Sequence, residues 1–531
     1  MCQSKAKGGK RCKAHSQKRT GGLIKHVSRE GESLQNSQVN SMACVLCPNC
    51  GSEYSRGIAP VHRCQRSDLL VLSPASKVII AAIRDAGGRP IFVGGSVRDA
   101  LISGEAISPK DIDIEVYGLE IDSLMNALST IGVVNEVGKA FSVLKMTIQG
   151  EDFDISLPRL DSKSGSGHTG FSVVVDSSLD EIAAFARRDF TINAIGWDPF
   201  REELVDPYGG QADIRAGILR HVSSAFREDP LRVLRGVQFA GRFDLTMAEE
   251  TILECRAIKN SFHELSKERI WNEWEKLALK AGKPSRSLQT LYDVEWEEHL
   301  PELSDIRNLE QGLYWHPEGS VDKHTALAAD VAATIARRDS LEKQDALVLV
   351  LAAIAHDFGK SKTTERTVEG HITSHGHAEV GAELAESFLE RLGAPEIIKK
   401  HVSMLVKEHM AHASFHEELP TKKAVIRLMR RLEGNGNGPG LEQWARLVEA
   451  DCLGRGGDGK HSPAGDWLKV ARGLNSGMKV PSSFLTGEHL IDLGLKPGPQ
   501  FKEILILARD AQDEGLFDNE ISALKWAKEN I

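Results

Sequence analysis

Apolar positions are scattered without period through the first 66 residues, which are rich in Gly, Ser, Lys and Arg, and this pattern predicts a flexible arm over residues 1–66. From Ser73 the pattern changes. SKVIIAAIRDAGG has apolar residues at helical spacing and closes on Gly87 and Gly88, so it predicts an amphipathic helix followed by its stop. RPIFV then predicts a short buried strand. GGSVRDALISG is a glycine turn that opens a helix, DIDIEVYGL alternates as a strand, and SVLKMTI and DFDISL are further strand-like runs. Together these elements predict an α/β domain over residues 73–205. After DPYGG (206–210) the strand signals fade and long helical patterns with few prolines continue to the end. A helical neck is expected over 206–300, a second helical domain over 301–460 and a helical tail over 461–531.

The length of 531 residues leaves room for several cores, and 41% hydrophobic with 27% charged residues is ordinary for a soluble globular protein. No apolar run approaches the ~18 residues of a membrane span. The N-terminus MCQSKAKGGKRCKAH has no apolar signal core, so a cytoplasmic protein without a membrane partner is expected. The net charge of -9 divides unevenly: residues 1–66 carry 12 Lys+Arg against 3 Asp+Glu, so the remainder is strongly acidic and any affinity for a polyanion must come from local patches.

Asp111 and Asp113 lie two apart in a predicted strand, so both project from one face while Ile112 and Ile114 turn to the other. Two carboxylates held that close repel unless a cation sits between them, and Mg²⁺ with a nucleoside triphosphate suits such a pair. Gly94 and Gly95 follow the strand RPIFV and open a helix with Arg98 in its first turn, which is the pattern of an anion cradle; the alternative is a tight turn with Arg98 paired to Asp99. Asp154 in DFDISL is the candidate third carboxylate, and Asp152 shares its face. Between positions 184 and 242 stand nine arginines and no lysine, a bias toward the planar fork that suits phosphates and base edges. ARRDFTINAIG supplies Arg187, Arg188, Asp189 and Asn193. In REDPLRVLRGVQFAGRF, Asp229 before Pro230 predicts a helix N-terminus, with Arg232 in the first turn and Arg235 one turn later on the same side, beside Glu228.

These residues resemble a family, the bacterial class II tRNA CCA-adding nucleotidyltransferases that share their head with poly(A) polymerases. The matching motifs are GGSVRD with DID, RRDFTINAIG, REDPLRVLRGVQFAGRF and ERIWNEWEKL, in family order. The resemblance covers about residues 73–531. It implies a polymerase-beta-like α/β nucleotidyltransferase head on an all-α trunk, with the tRNA acceptor end, CTP and ATP as partners. By the same resemblance Asp111 and Asp113 would hold Mg²⁺ and Gly94, Gly95 and Arg98 the triphosphate. Arg188, Asp189 and Asn193 would contact the ribose, while Glu228, Asp229, Arg232 and Arg235 would belong to the nucleotide site whose amino-acid template selects the base. A poly(A) polymerase with the same head is the near alternative.

In the trunk, His356 and Asp357 end the apolar run ALVLVLAAIAHDFGK; His324 precedes them and Asp451 follows much later. The ordered set resembles the HD phosphohydrolase superfamily, which implies that these four side chains bind a divalent transition metal. His377, His401 and His409 look like the additional histidines of such domains. An HD phosphohydrolase whose head only binds RNA is the distant alternative. Six of the eight cysteines lie in the first 64 residues. Cys44, Cys47, Cys50 and Cys64 are the candidate zinc ligands, with His62 as a substitute, because CPNCG sets two thiolates on a tight turn. Cys2, Cys12 and His15 make a second, incomplete set.

Overall fold

In the computed structural model, described for residues 44–531 except 60, 68, 110, 138–142, 164–170, 415–418, 435, 457–461 and 475–477, the strand-like runs come together in one mixed sheet. The chain begins with a hairpin of β1 (Cys44–Leu46) and β2 (Glu53–Ser55), followed by β3 (Arg63–Gln65). Helix α1 (Pro74–Asp85) starts where Ser73 accepts the Ser76 N–H and Pro74 fills the first position. Then come β4 (Arg89–Val93), α2 (Gly95–Ser103), β5 (Asp111–Tyr117), α3 (Ile121–Ser129), β6 (Val134–Val137), β7 (Val143–Ile148) and β8 (Glu151–Ser156). A separate ribbon of β9 (Arg159–Lys163) and β10 (Phe171–Val175) leads to α4 (Glu181–Ala186), β11 (Gly196–Asp198) and β12 (Glu203–Val205).

The eight strands run in the order β3-β12-β11-β4-β5-β8-β7-β6, with β5 and β8 parallel and the other neighbours antiparallel. Ile112, Ile114 and Val116 of the central β5 share a core with Ile79 and Ile83 of α1 and Leu124 and Leu128 of α3. The odd positions of β5 therefore face away from those helices.

The expectation of a flexible arm to residue 66 fails for its last third. β3 pairs with β12 as an edge of the head sheet, and Cys47 and Cys64 are buried in the head's core. Three-residue strands carry almost no periodic signal, and the partner of β3 lies about 140 residues later in the chain. Cys2, Cys12 and His15 lie outside the described residues.

Beyond the sheet the chain is helical apart from two small ribbons. The neck holds α5 (Gly210–Ala216), α6 (Leu231–Phe243), α7 (Glu249–Ala257), α8 (Lys267–Lys280), α9 (Pro284–Asp293) and α10 (Pro301–Ile306). A core that begins at Phe190 continues without a break into α11 (Val321–Arg338), α12 (Lys343–Ala355), α14 (His377–Leu392), α15 (Glu396–Glu408), α16 (Lys422–Glu433), α17 (Gly440–Gly454) and α18 (Ala464–Arg472), with the polar α13 (Lys360–Thr363) outside it. The last helices, α19 (Gly487–Asp492), α20 (Gln500–Asp513) and α21 (Glu520–Asn530), close on a core of their own around Leu490, Phe517 and Ala523. Among the described residues no helix is long and apolar enough to cross a membrane.

Candidate functional site

The alternation of β5 puts Asp111, Asp113 and Glu115 on the sheet face opposite α1 and α3. Parallel β8 runs in register, so Asp152 stands beside Asp111 and Asp154 beside Asp113. Asp152 accepts from the Thr147 hydroxyl at 2.7 Å, and Asp154 pairs with Lys145 at 3.1 Å. Partial loss of hydration raises the Asp113 carboxyl above its ordinary range; Arg188 counteracts this, while Asp154 and Asp111 add to it. Glu115, two residues on, is fully buried and takes hydrogen bonds from Tyr117 Oη and Arg188, both at 2.9 Å.

Gly94 turns the chain between β4 and α2 with φ of 76°, and a Cβ there would meet Asp113 Oδ2 at 2.9 Å. Only glycine leaves the carboxylate its place beside the turn. Arg98 is buried over the Phe243 ring, 4.6 Å from its centroid, and donates to Asp99 at 2.8 Å and Asn193 Oδ1 at 2.7 Å. The pairing with Asp99 that the sequence left open is therefore present, and Asn193 shares the same guanidinium.

Asp189 is buried with both oxygens in use. Oδ1 accepts the Phe190 N–H and the Asn193 amide, each at 2.8 Å, and Oδ2 faces Arg235 at 2.6 Å. Burial opposes its charge, but Arg235 and these donors hold the carboxyl below its ordinary range. Asp229 Oδ1 accepts the Leu231 N–H at 3.1 Å at the start of α6, and Arg269 of α8 reaches both Asp229 oxygens, at 3.1 and 2.8 Å. Arg232 donates to the carbonyls of Ala225 and Arg187, each at 2.6 Å.

Gly94, Gly95, Asp113, Arg188, Asp229, Arg232 and Arg269 line one cleft of about 410 Å³, which Arg98, Asp189, Asn193 and Arg235 also border. Asp111 and Asp154 adjoin it as the strand and register neighbours of Asp113. Glu228 ends the turn Ser224–Glu228 and is not part of the lining. Sequence reasoning missed Glu115 and Arg269. The first continues the alternation of DIDIE, and the second sits inside ERIWNEWEKL.

The trunk gathers a second set of side chains. His324 comes from α11, His356 and Asp357 from the end of α12, His377 from the start of α14, His409 from the end of α15 and Asp451 from α17. His324 Nε2 lies 3.2 Å from His356 Nε2 and 3.1 Å from Asp451 Oδ1, and His356 Nε2 lies 3.4 Å from Asp357 Oδ2. On the other side of Asp357, His377 Nε2 is 3.5 Å from Oδ1 and 3.1 Å from His409 Nε2. Asp357 thus joins two groups capable of holding a metal ion, His324–His356–Asp357 and Asp357–His377–His409.

The outer nitrogens fix which atoms face inward. Nδ1 of His356, His377 and His409 points at the carbonyls of Ala353, Ser374 and Val406, at 2.8, 2.8 and 2.6 Å. A carbonyl only accepts, so Nδ1 carries the proton and the Nε2 lone pairs face one another. Two opposed lone pairs about 3 Å apart cannot bond each other, whereas cis ligands of one cation with ~2.1 Å bonds stand at that separation. Burial and the neighbouring His377 and His356 push the His409 imidazole down to about 3, so it is neutral. Burial also opposes charge on His324, but Asp451 and Glu318 prevail and raise it to about 9, so a proton sits where a cation would. Lys360 and Arg455 flank the carboxylates at 2.8 Å from Asp357 and 2.9 Å from Asp451, and a groove of about 900 Å³ opens onto the set. His401 stands apart, bonded through Nε2 to the Asn437 carbonyl at 2.6 Å. Glu318 and Lys360 carried no signal that separated them from surface charges.

In the first described residues, Cys47, His62 and Cys64 have ligand atoms within 4.8 Å of one another, and Cys50 Sγ lies 3.9 Å from His62 Nε2. Cys44 occupies β1 opposite Ser55.

Three family descriptions match the chain: Poly A polymerase head domain over residues 91–220, Probable RNA and SrmB-binding site of polymerase A over 244–306, and HD domain over 321–435. Multifunctional CCA protein from Xanthomonas oryzae pv. oryzae (strain MAFF 311018) is 34% identical over 429 residues, which cover 79% of this chain and 97% of that protein. The protein of the same name from Xanthomonas euvesicatoria pv. vesicatoria (strain 85-10) is 33% identical over 428 residues, with the same coverage. The fold is similar to that of the Bacillus stearothermophilus CCA-adding enzyme solved with CTP, with a TM-score of 0.54 at 21% identity over 86% of this chain and 98% of that one. It is also similar to the Thermotoga maritima CCA-adding enzyme solved with tRNA, with a TM-score of 0.52 at 17% identity over 86% and 96%.

Proposed function

The chain belongs to the family of the multifunctional CCA proteins, and on that premise we propose that its head adds or repairs the 3′-terminal CCA of tRNA from CTP and ATP, while the HD region is a metal-dependent phosphohydrolase. The head occupies residues 73–205 together with the edge strand β3 and the hairpin before it, and the neck 206–300. The HD region spans 301–460 and the tail 461–531.

Asp111 and Asp113 would hold the Mg²⁺ of the incoming nucleotide, and the fit rests on carboxylates crowded on two neighbouring strands, which raise the Asp113 carboxyl above its ordinary range. Bound Mg²⁺ supplies the positive charge that lets these carboxylates and a triphosphate share one space. Asp154, beside Asp113, orients the RNA 3′-hydroxyl. The hydroxyl gives its proton to Asp154, its oxygen bonds to the α-phosphorus, and the bond from that phosphorus to pyrophosphate breaks. The N–H groups of the Gly94–Gly95 turn approach the phosphates, and Arg188 adds charge beside Asp113. Arg98, Asp189, Asn193 and Arg235 form the hydrogen-bonded frame that holds the ribose-facing wall.

Asp229 and Arg232 select the base, with Glu228 beside them. A carboxylate offers about four acceptor positions, so Asp229 can keep Arg269 and still accept from the exocyclic amine of cytosine or adenine. Arg232 spends two of its five N–H groups on carbonyls and retains others for the adjacent ring nitrogen. Uracil and guanine present the opposite polarity, at a cost of about 1–3 kcal/mol for each group left unpaired.

In the trunk, His324, His356, Asp357 and Asp451 would hold a divalent transition metal, and His377 with His409 would offer a second position across Asp357. A metal bound there would supply Lewis-acid chemistry for phosphoester hydrolysis. Lys360 and Arg455, at the groove, are placed to meet the phosphate.

One observation carries the head reading: a turn that only glycine can make, packed against Asp113, opens into the cleft that Asp229 and Arg232 also line. The test supplies one labelled nucleotide at a time, with Mg²⁺, to tRNA lacking one, two or all three residues of CCA. Stepwise addition that stops at CCA is expected. Long A tracts would make the protein a poly(A) polymerase, and no addition would leave the HD region as its working site.

A further inference from the structure

We propose that Cys47, Cys50, His62 and Cys64 form a structural zinc site that fastens the β1–β2 hairpin to the edge of the head sheet. The site precedes residue 91, where the matched head domain begins, and does not rest on the head's activity.

The turn after β1 is a knuckle. Cys47 N–H donates to the Ser52 carbonyl at 2.8 Å and Gly51 N–H to the Cys47 carbonyl at 2.9 Å, with Gly51 at φ of 73°. Such a turn aims two thiols the same way. His62 and Cys64 lie two apart along β3 and its approach, so they share a face. Cys47, His62 and Cys64 are 1%, 7% and 6% exposed, and Cys50 forms the exposed rim. Tetrahedral zinc with bonds of about 2.3 Å to sulfur and 2.0 Å to nitrogen sets its ligands roughly 3.6–3.8 Å apart. The 3.9 Å between Cys50 Sγ and His62 Nε2 is already near that spacing, and the three buried donors lie within 4.8 Å of one another.

A disulfide accounts for the group less well. Three thiols meet one imidazole here, so a bridge from Cys50 strands a buried thiol beside His62, and a bridge between Cys47 and Cys64 leaves Cys50 and His62 without a role at 3.9 Å. Cys64 Sγ has as polar neighbours the Asn49 amide at 3.7 Å and Gln211 Oε1 at 3.8 Å. The Asn49 amide is placed to donate to a metal-bound thiolate.

The hairpin also needs a fastener. Its strands are three residues long, and a two-stranded hairpin of that size cannot hold itself. From the cluster, a chain of contacts leads to the cleft. The His62 ring stacks on Tyr54 with centroids 4.2 Å apart. Tyr54 Oη donates to Asp206 at 3.1 Å, and Asp206 accepts the Gly210 and Gln211 N–H groups that open α5. Arg56 pairs with Asp213 at 2.8 Å, and Asp213 accepts from Thr191, two residues before Asn193. The zinc site thereby braces the back of the nucleotide-facing turn without touching substrate.

The test measures zinc in the full-length protein by mass spectrometry after dialysis against a chelator, and records the spectrum after Co²⁺ replacement. One retained zinc per chain and a thiolate-to-cobalt charge-transfer band are expected. Both should persist in the His356→Ala, Asp357→Ala double variant and in Cys44→Ser, and both should vanish in Cys47→Ser and Cys64→Ser. Should those two fail to fold, Cys50→Ser, at the exposed rim, is expected to keep the circular dichroism of the parent while losing the retained zinc. Zinc absent from the parent, a Cys47, Cys50 or Cys64 disulfide in its intact mass, or zinc lost in Cys44→Ser but kept in His62→Ala would each overturn the assignment.

Discussion

Asp111 and Asp113 stand on an exposed sheet face, whereas Asp357 and Asp451 in the trunk are 2% and 3% exposed. On the proposed function, this open face would let the head take its cation with each nucleotide and release it with pyrophosphate. Buried carboxylates cost several kcal/mol each unless they are compensated. The trunk compensates with Lys360, Arg455 and the protonated His324, and its remaining imidazoles are oriented by backbone carbonyls. On the proposed function, the head's site would be completed by its substrate, and the trunk's by an ion that takes the place of the His324 proton. Two carboxylate clusters in one chain thus differ in burial and in the cationic groups that offset them.

The largest effects should fall on the carboxylates and remain on their own side of the molecule. Asp113→Ala or Asp111→Ala should lower nucleotide addition about a thousandfold or more, a loss of several kcal/mol at the chemical step, with tRNA binding unchanged in a filter assay. In the trunk, His356→Ala with Asp357→Ala should remove all metal-dependent phosphohydrolase activity and leave addition within about twofold, as expected for sites that share no partners. A parallel fall of both activities would mean that the trunk pair holds the fold rather than a metal.

Next in size is the glycine turn. Gly94→Ala carries two penalties, about 1–2 kcal/mol for a left-handed backbone and a methyl 2.9 Å from Asp113 Oδ2. Displacing the carboxylate by a fraction of an ångström should reduce kcat about a hundredfold. Gly95→Ala is the control, because its Cβ meets only the Arg98 guanidinium at 3.5 Å and its backbone is helical. Equal losses in the two variants would mean that the turn acts through overall stability and not through Asp113.

These sites were legible in the sequence in proportion to how local their determinants are. Ser73, Pro74 and the helical spacing suffice to place α1, and alternation alone sets Asp111 and Asp113 on one face. The edge strand β3 was hidden because its pairing with β12 spans about 140 residues and its own three residues show no period. His377, His401 and His409 looked alike in the sequence, yet two of them face Asp357 and the third bonds the Asn437 carbonyl, a division decided by how α14 and α15 rotate against α12. Arg269 is the clearest omission. Its partner Asp229 is 40 residues away, and only the packing of α8 against α6 brings them together.

The smallest effect, and the most discriminating, concerns Asp229. Its Oδ1 accepts the Leu231 N–H, so one role is to cap α6, and its pairing with Arg269 is partly exposed and worth no more than about 1 kcal/mol. Asparagine caps nearly as well as aspartate. If Asp229 serves only the helix and Arg269, Asp229→Asn should lower the melting temperature slightly and leave kcat/KM for CTP, ATP, UTP and GTP in the same ratio. As a base-reading group, the new amide can present its own N–H₂ to a carbonyl, so UTP or GTP should gain about tenfold against CTP and ATP, the worth of one hydrogen bond exchanged. Arg232→Ala should relax the same ratio by removing a donor, because its guanidinium meets both the cleft and the carbonyls of Ala225 and Arg187. Arg269→Ala removes the ion pair but no base-reading atom and should shift stability alone. All four ratios measured on tRNA lacking the terminal A decide the matter: unchanged selectivity in both Asp229→Asn and Arg232→Ala would reduce the cleft's end wall to a helix cap, and a change confined to Arg269→Ala would move base selection to α8.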